Sequence, residues 1–134
     1  MDLAAIPDDF KGLIARARAV TVARRLSETA TCGTVGVTLE TAAGEVFVGV
    51  CVDTSSSVGF CAEHAAAAAM LTAGQSQVVR MVAVDSHGHV LAPCGRCREF
   101  ISQLAGPNLD TEVLVGGPHV VSLRDLLPYR WVKD

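Results

Sequence analysis

Aromatic residues are scarce in this 134-residue chain: four Phe, one Tyr and one Trp, 4% of the total. A core of stacked rings is thereby excluded, and because half the residues are hydrophobic the core must be mostly Ala, Val and Leu. Such residues pack as helices on a sheet. Long apolar runs are missing too; none reaches the ~18 residues that a membrane-spanning helix needs. Positive charge is not in excess, with 11 Lys and Arg against 14 Asp and Glu, a net charge of -3. A nucleic-acid backbone attracts clustered Lys and Arg, and the one group here (Arg16, Arg18, Arg24 and Arg25) reads as the solvated face of a first helix. A small diffusible substrate is the better match, with no nucleic acid and no membrane among the expected partners. Asp2, Asp8 and Asp9 precede any basic residue, the wrong sign for a secretory signal. The expected location is the cytoplasm.

Five cysteines is an odd number, and in a cytosolic chain cysteines serve metals or catalysis more often than a disulfide frame. Cys61, Cys94 and Cys97 stand in motifs; Cys32 and Cys51 read as small buried apolar side chains.

The length suits a single domain spanning 1–134, large enough for a proper core. Residues 8–27 carry Phe10, Leu13, Ile14, Ala17 and Leu26 at helical spacing, with acids at the start and Arg24 and Arg25 near the end. Val35, Val37 and Leu39 alternate with small or polar residues, and after the turn Thr41-Ala42-Ala43-Gly44 so do Val46, Val48, Val50 and Val52; two strands so close must form an antiparallel hairpin. A Ser-rich loop (Thr54 to Ser57, then Gly59) follows as a candidate pocket wall. The Ala-rich run from Ala62 to Leu71 predicts a helix that is apolar nearly all round and hence buried, ended by Gly74. Val78 to Val84 suits a central strand, Gly95 to Leu104 a helix, and Glu112–Val115 and Val120–Val121 two strands too close for a crossover between them. Leu123 to Leu127 is a last helical turn. The expected architecture is a three-layer α/β/α sandwich on a five-stranded mixed sheet, with its last two strands antiparallel.

The chemistry lies in Cys61-Ala62-Glu63 and Pro93-Cys94-Gly95-Arg96-Cys97-Arg98. Three thiolates suit Zn²⁺, and a catalytic zinc takes three protein ligands and leaves a fourth position open. Each cysteine falls at a helix start, where unpaired N–H groups and a partial positive charge favour thiolates. A glutamate beside the metal can then move protons. This is the pattern of the zinc deaminases, and the paired motifs resemble the small, oligomeric cytidine deaminases over roughly residues 34 to 131. The Ala run after Glu63, the string Pro-Cys-Gly-Arg-Cys-Arg and Leu126-Leu127-Pro128 look most like the blasticidin-S deaminase branch.

The resemblance implies a cytidine-deaminase-like fold, zinc on Cys61, Cys94 and Cys97, Glu63 as the proton shuttle, and a homotetramer with sites between subunits. A bound zinc would acidify a water; Glu63 would take its proton, pass it to the ring nitrogen and help the amine leave. A carboxylate beside an anionic site should be harder to ionise than a free one. Three thiolates on Zn²⁺ leave a net charge of -1, so something should draw charge from the sulfurs. His64 and Arg98 are the candidate hydrogen-bond donors. The resemblance also assigns the backbone of Ala62 and Ala92 to the base, and Cys51 and Asp53 to the ribose, where many relatives have Asn-x-Glu. Gly33 stands where relatives usually carry a base-packing Phe; Phe60 and Trp131 are the candidate substitutes, Trp131 from a neighbouring subunit.

Three readings compete with a deaminase of cytidine or deoxycytidine. One is a deaminase of a nucleoside antibiotic such as blasticidin S or of another aminated heterocycle. A second is a non-catalytic, zinc-stabilised binding module, for which His64, His87 or His89 would supply a fourth ligand. Nucleic-acid editing is the third, and both the charge and the few aromatics speak against it. A redox Cys-x-x-Cys would want a thioredoxin-like strand leading into it, and none does. His87, His89 and His119 read as solvated loop residues.

Overall fold

The computed structural model describes residues 5–133, so Asp2 of the N-terminal charge pattern lies outside the described residues. Helix α1 (Asp8–Val20) is followed by strands β1 (Arg24–Arg25), β2 (Ala30–Thr41) and β3 (Val46–Thr54). Then come α2 (Ala62–Thr72), β4 (Val78–Asp85), β5 (Val90–Leu91), α3 (Gly95–Leu104), β6 (Glu112–Gly116) and β7 (His119–Ser122). Short 3-10 turns cover Ser55–Ser57, Gly106–Asp110 and Arg124–Leu126.

The sheet has seven strands where five were expected, and the two additions are two residues long. Its frame runs β3-β2-β4-β6-β7, and among the described residues only the β4–β6 pair is parallel. The short strands fill gaps at its ends. β1 lies beside the start of β2, whose later part is taken by β4, and β5 lies beside the end of β4. The last two strands are antiparallel, joined through the short gap the sequence allows.

Alternation along the strands separates two cores, as a period of two requires. On one face, Phe10, Leu13, Ile14 and Ala17 of α1 pack on Val82, Val84 and Leu114. On the other, Ala62, Ala66, Ala67 and Met70 of α2, with Ile101 of α3, pack on Val37, Leu39, Met81 and Val113. Burying each of the larger side chains contributes about 1.5–3 kcal/mol. Gly49 on β3 is what lets α2 come so close, because a Cβ there would stand 2.4 Å from the Ala66 nitrogen.

Two expectations about the helices need correction. α1 stops at Val20 rather than running to residue 27, so Leu26 is exposed and Arg24 and Arg25 belong to a strand, away from the helix end. The hydroxyl of Thr21 donates to the Ala17 carbonyl at 2.6 Å, satisfying a terminal acceptor from the side chain as the backbone turns away. α2 is buried on one side only: Ala68, Ala69 and Leu71 face outward.

Gly33 explains why no aromatic occupies its position. Its φ is +84°, and a Cβ would lie 2.0 Å from the Val22 carbonyl oxygen. No side chain fits without moving the backbone. Gly33→Ala is expected to destabilise the fold by about 2 kcal/mol or more, read as a lower denaturant midpoint with an unchanged slope. An unaltered midpoint would contradict the constraint.

Candidate active site

Cys61 is the residue that starts α2 and Cys94 the one that starts α3, both in extended conformation. Cys97 follows one turn into α3, on the same side as Cys94. The two helices thus bring three sulfurs together. Cys94 Sγ lies 3.5 Å from Cys61 Sγ and 3.3 Å from Cys97 Sγ. The five cysteines are free thiols, with Cys32 and Cys51 buried as the sequence suggests.

His64, one turn after Cys61, stacks flat on Phe100 with a ring separation of 4.2 Å and points Nδ1 at Cys97 Sγ, 3.6 Å away. Cys61, His64 and Cys97 place their donor atoms within 4.8 Å of one another, a group that could hold a metal ion. Burial, and then the nearby Arg96, lower the pKa of His64 and favour its neutral ring.

Glu63 is 4% exposed and lines a cavity beside Cys61 and Cys94. Burial, followed by the charge of Glu63, pushes the Cys97 thiol far up. Cys61 is raised as well, first by burial and then by its hydrogen bond to Cys94. Cys94 moves the other way: burial opposes its ionisation, but hydrogen bonds from the Cys97 backbone and the neighbouring thiols outweigh it. Three thiols and a carboxylate packed this tightly repel one another once ionised, and a divalent cation is what makes such a set favourable. The residues fit a soft divalent metal. For Zn–S bonds of about 2.3 Å, tetrahedral geometry places sulfurs about 3.8 Å apart, close to the spacing found.

Cys61, Cys94 and Glu63 open onto this cavity of about 420 Å³, with Cys97 buried behind them. Of the sequence-derived substrate residues, Cys51, Asp53, Phe60, Ala62 and Ala92 all line it. The Ser-rich loop is part of its wall through Thr54, Ser57 and Gly59, as expected. Ser56 and Ser57 there both adopt positive φ, a strained conformation for residues with side chains. Thr34 and Arg96 also line the cavity, and sequence reasoning passed over both. Arg96 had a signal in its place between two motif cysteines. Thr34 had none beyond its neighbour Gly33.

Within the single chain Trp131 stands apart from the cavity, and Arg98 is not turned to the sulfurs. Trp131 is 86% exposed and does not line the cavity of its own chain; its backbone N–H donates to Glu99 Oε1. Arg98 donates to the carbonyls of Pro93 (2.8 Å) and Leu126 (3.1 Å) rather than to sulfur. Consecutive helical residues point about 100° apart, so with Cys97 facing inward Arg98 is turned aside. His87, His89 and His119 lie on the surface as expected, with His89 paired to Asp85.

No family model matches the chain. In sequence it is 37% identical over 87 residues to a cytidine deaminase of Mycobacterium tuberculosis, covering 63% of this chain and 62% of that protein. The crystal structure of cytidine deaminase from Mycobacterium tuberculosis superposes with a TM-score of 0.78 at 28% identity, over 95% of this chain and all of that one. That of cytidine deaminase from Burkholderia pseudomallei gives a TM-score of 0.70 at 32% identity, over 90% of this chain and 97% of that one. The chain belongs to the cytidine deaminase family. The 87-residue match spans under two thirds of the curated relative's length, whereas the fold likeness to the cytidine deaminase structures runs nearly end to end. Among the described residues, no helix is long and apolar enough to cross a membrane.

Proposed function

We propose that the protein is a zinc-dependent hydrolytic deaminase of a cytosine nucleoside, cytidine or deoxycytidine, working as a single catalytic unit in the cytoplasm. One observation carries this reading: three sulfurs from two helix starts gather beside a cavity that Cys61, Cys94 and the buried Glu63 line. Cys61, Cys94 and Cys97 would hold the metal. Cys94 lies within 3.5 Å of both other sulfurs and has the thiol whose ionisation its surroundings favour, which supports it over His64 as the third ligand. When bound, zinc supplies Lewis acidity that makes a water a nucleophile near neutral pH.

The chain's own residues do the rest. Glu63 accepts a proton from the attacking water and delivers it to the ring nitrogen beside the amino-bearing carbon. It then carries the proton of the newly added hydroxyl to the amino nitrogen, and the C–N bond breaks as the carbonyl forms, releasing ammonia. The backbone of Ala62 and Ala92 borders the cavity where the base would sit, with Cys51 and Asp53 toward the sugar. The neutral His64, in the tautomer that carries its hydrogen on Nδ1, would donate to the Cys97 sulfur and draw charge from it. Phe60 is the aromatic at the cavity wall that would pack on the base. Self-association as a homotetramer is supported by the outward Leu71 of α2 and by exposed Tyr129 and Trp131.

A nucleoside antibiotic such as blasticidin S, the substrate of the branch the motif strings resemble, is a second reading, favoured by Gly33 and Cys51 at positions where the sugar and base contacts differ. Ammonia release from a panel of aminated nucleosides, measured with zinc content, tests both. A protein that holds zinc and releases nothing from any of them would be a binding module instead. His64→Ala is expected to retain one zinc per chain while losing about tenfold in turnover. Loss of the metal in that variant would make His64 a ligand and the site a closed, structural one.

A further inference from the structure

We infer that Thr34 determines specificity by donating a hydrogen bond to a sugar hydroxyl of the substrate; the inference rests on the cytosine-nucleoside reading of the site. β2 and β3 pair Thr31 with Asp53 and Cys32 with Val52, and pairing then resumes at Gly36 with Val50. Gly33, Thr34 and Val35 therefore bulge opposite Cys51 alone. Bulges redirect side chains, and this one places Thr34 on the cavity wall with Oγ1 3.1 Å from Cys51 Sγ.

The hydrogen-bonding capacity of that wall explains what Thr34 is for. Cys51 Sγ accepts from the Val35 N–H at 3.3 Å, and its thiol faces Asp53 Oδ2 at 4.0 Å. Asp53 can only accept, and a thiol is a weak donor. A sugar hydroxyl both donates and accepts, so a wall of Cys51 and Asp53 alone would satisfy half of it. The Thr34 hydroxyl, hydrogen-bonded to the same sulfur, completes the set by turning its one hydrogen from that weak acceptor to the sugar: the 2′- or 3′-hydroxyl donates to Asp53 and accepts from Thr34. Thr54 is the competing residue: it lines the same cavity, and its buried hydroxyl has no hydrogen-bond partner among the described residues.

The test crosses enzyme variants with substrates. Thr34→Val keeps the β-branched shape that suits a strand and removes only the hydroxyl. It should raise KM for cytidine about tenfold with kcat within a factor of two, the pattern of lost uniform binding. KM for 2′,3′-dideoxycytidine, which lacks the 2′- and 3′-hydroxyls and keeps the 5′ one, should not change, and Thr34→Ser should restore the wild-type KM for cytidine. An equal rise for both substrates, or no rise for either, overturns the inference. So does a substrate-dependent rise in Thr54→Val while Thr34→Val stays like wild type. In each of these cases the wild type still releases ammonia and the deaminase reading stands. A wild type inactive on every cytosine nucleoside overturns that reading and the inference together.

Discussion

Glu63→Gln is expected to lower turnover of a cytosine nucleoside by about 10³-fold or more while leaving fold and metal content intact. A single positioned acid or base contributes about 10²–10⁴-fold, and Glu63 serves the proposed reaction in both capacities. The loss corresponds to about 4 kcal/mol of barrier. Glutamine matches glutamate in size and can still hydrogen-bond in the buried position, so no cavity forms. The substitution also removes a charge that opposes ionisation of Cys97 and Cys61. Zinc binding should therefore be no weaker than in the wild type. Single-turnover ammonia release together with metal analysis checks this, and a variant that keeps full activity would remove Glu63 from the mechanism.

Cys94→Ala is expected to abolish stoichiometric zinc and all turnover, and to lower thermal stability markedly. Cys94 is the sulfur adjacent to both others, and its loss leaves Cys61 and Cys97 without a bridge. Binding energy for a metal that the unfolded chain does not grip becomes folding energy. The starts of α2 and α3 meet at these sulfurs, so the second helical layer should loosen first. Metal analysis and a melting curve with and without a chelator separate the effects. The wild type treated with chelator should melt like the variant; a variant that retains one zinc per chain would break the ligand assignment.

The hairpin of β2 and β3, the Ala-rich α2 and the central β4 were legible because their signals are local. A period of two, a helix-forming run and an apolar stretch of strand length each survive any tertiary context. The gathering of Cys61, Cys94 and Cys97 near the buried Glu63 was legible for another reason: two short motifs at helix starts place their side chains with little dependence on distant contacts. What escaped depended on long-range geometry. Leu26 continued the helical spacing of α1, but the chain leaves the helix at Thr21. An all-apolar composition suggested that α2 is buried all round, yet only one side meets the sheet. Thr34 reaches the cavity through a shift in strand pairing that no local pattern announces. Arg98 sits next to a motif cysteine but is turned away from it by the helix itself.

That orientation of Arg98 has a result of its own. One guanidinium holds both the Pro93 carbonyl, immediately before Cys94, and the Leu126 carbonyl, near the end of the chain. Disturbing the carboxyl-terminal tail would therefore be transmitted to the turn that carries Cys94 through a single planar clamp. A change remote from the reacting centre could in this way register as a defect in chemistry.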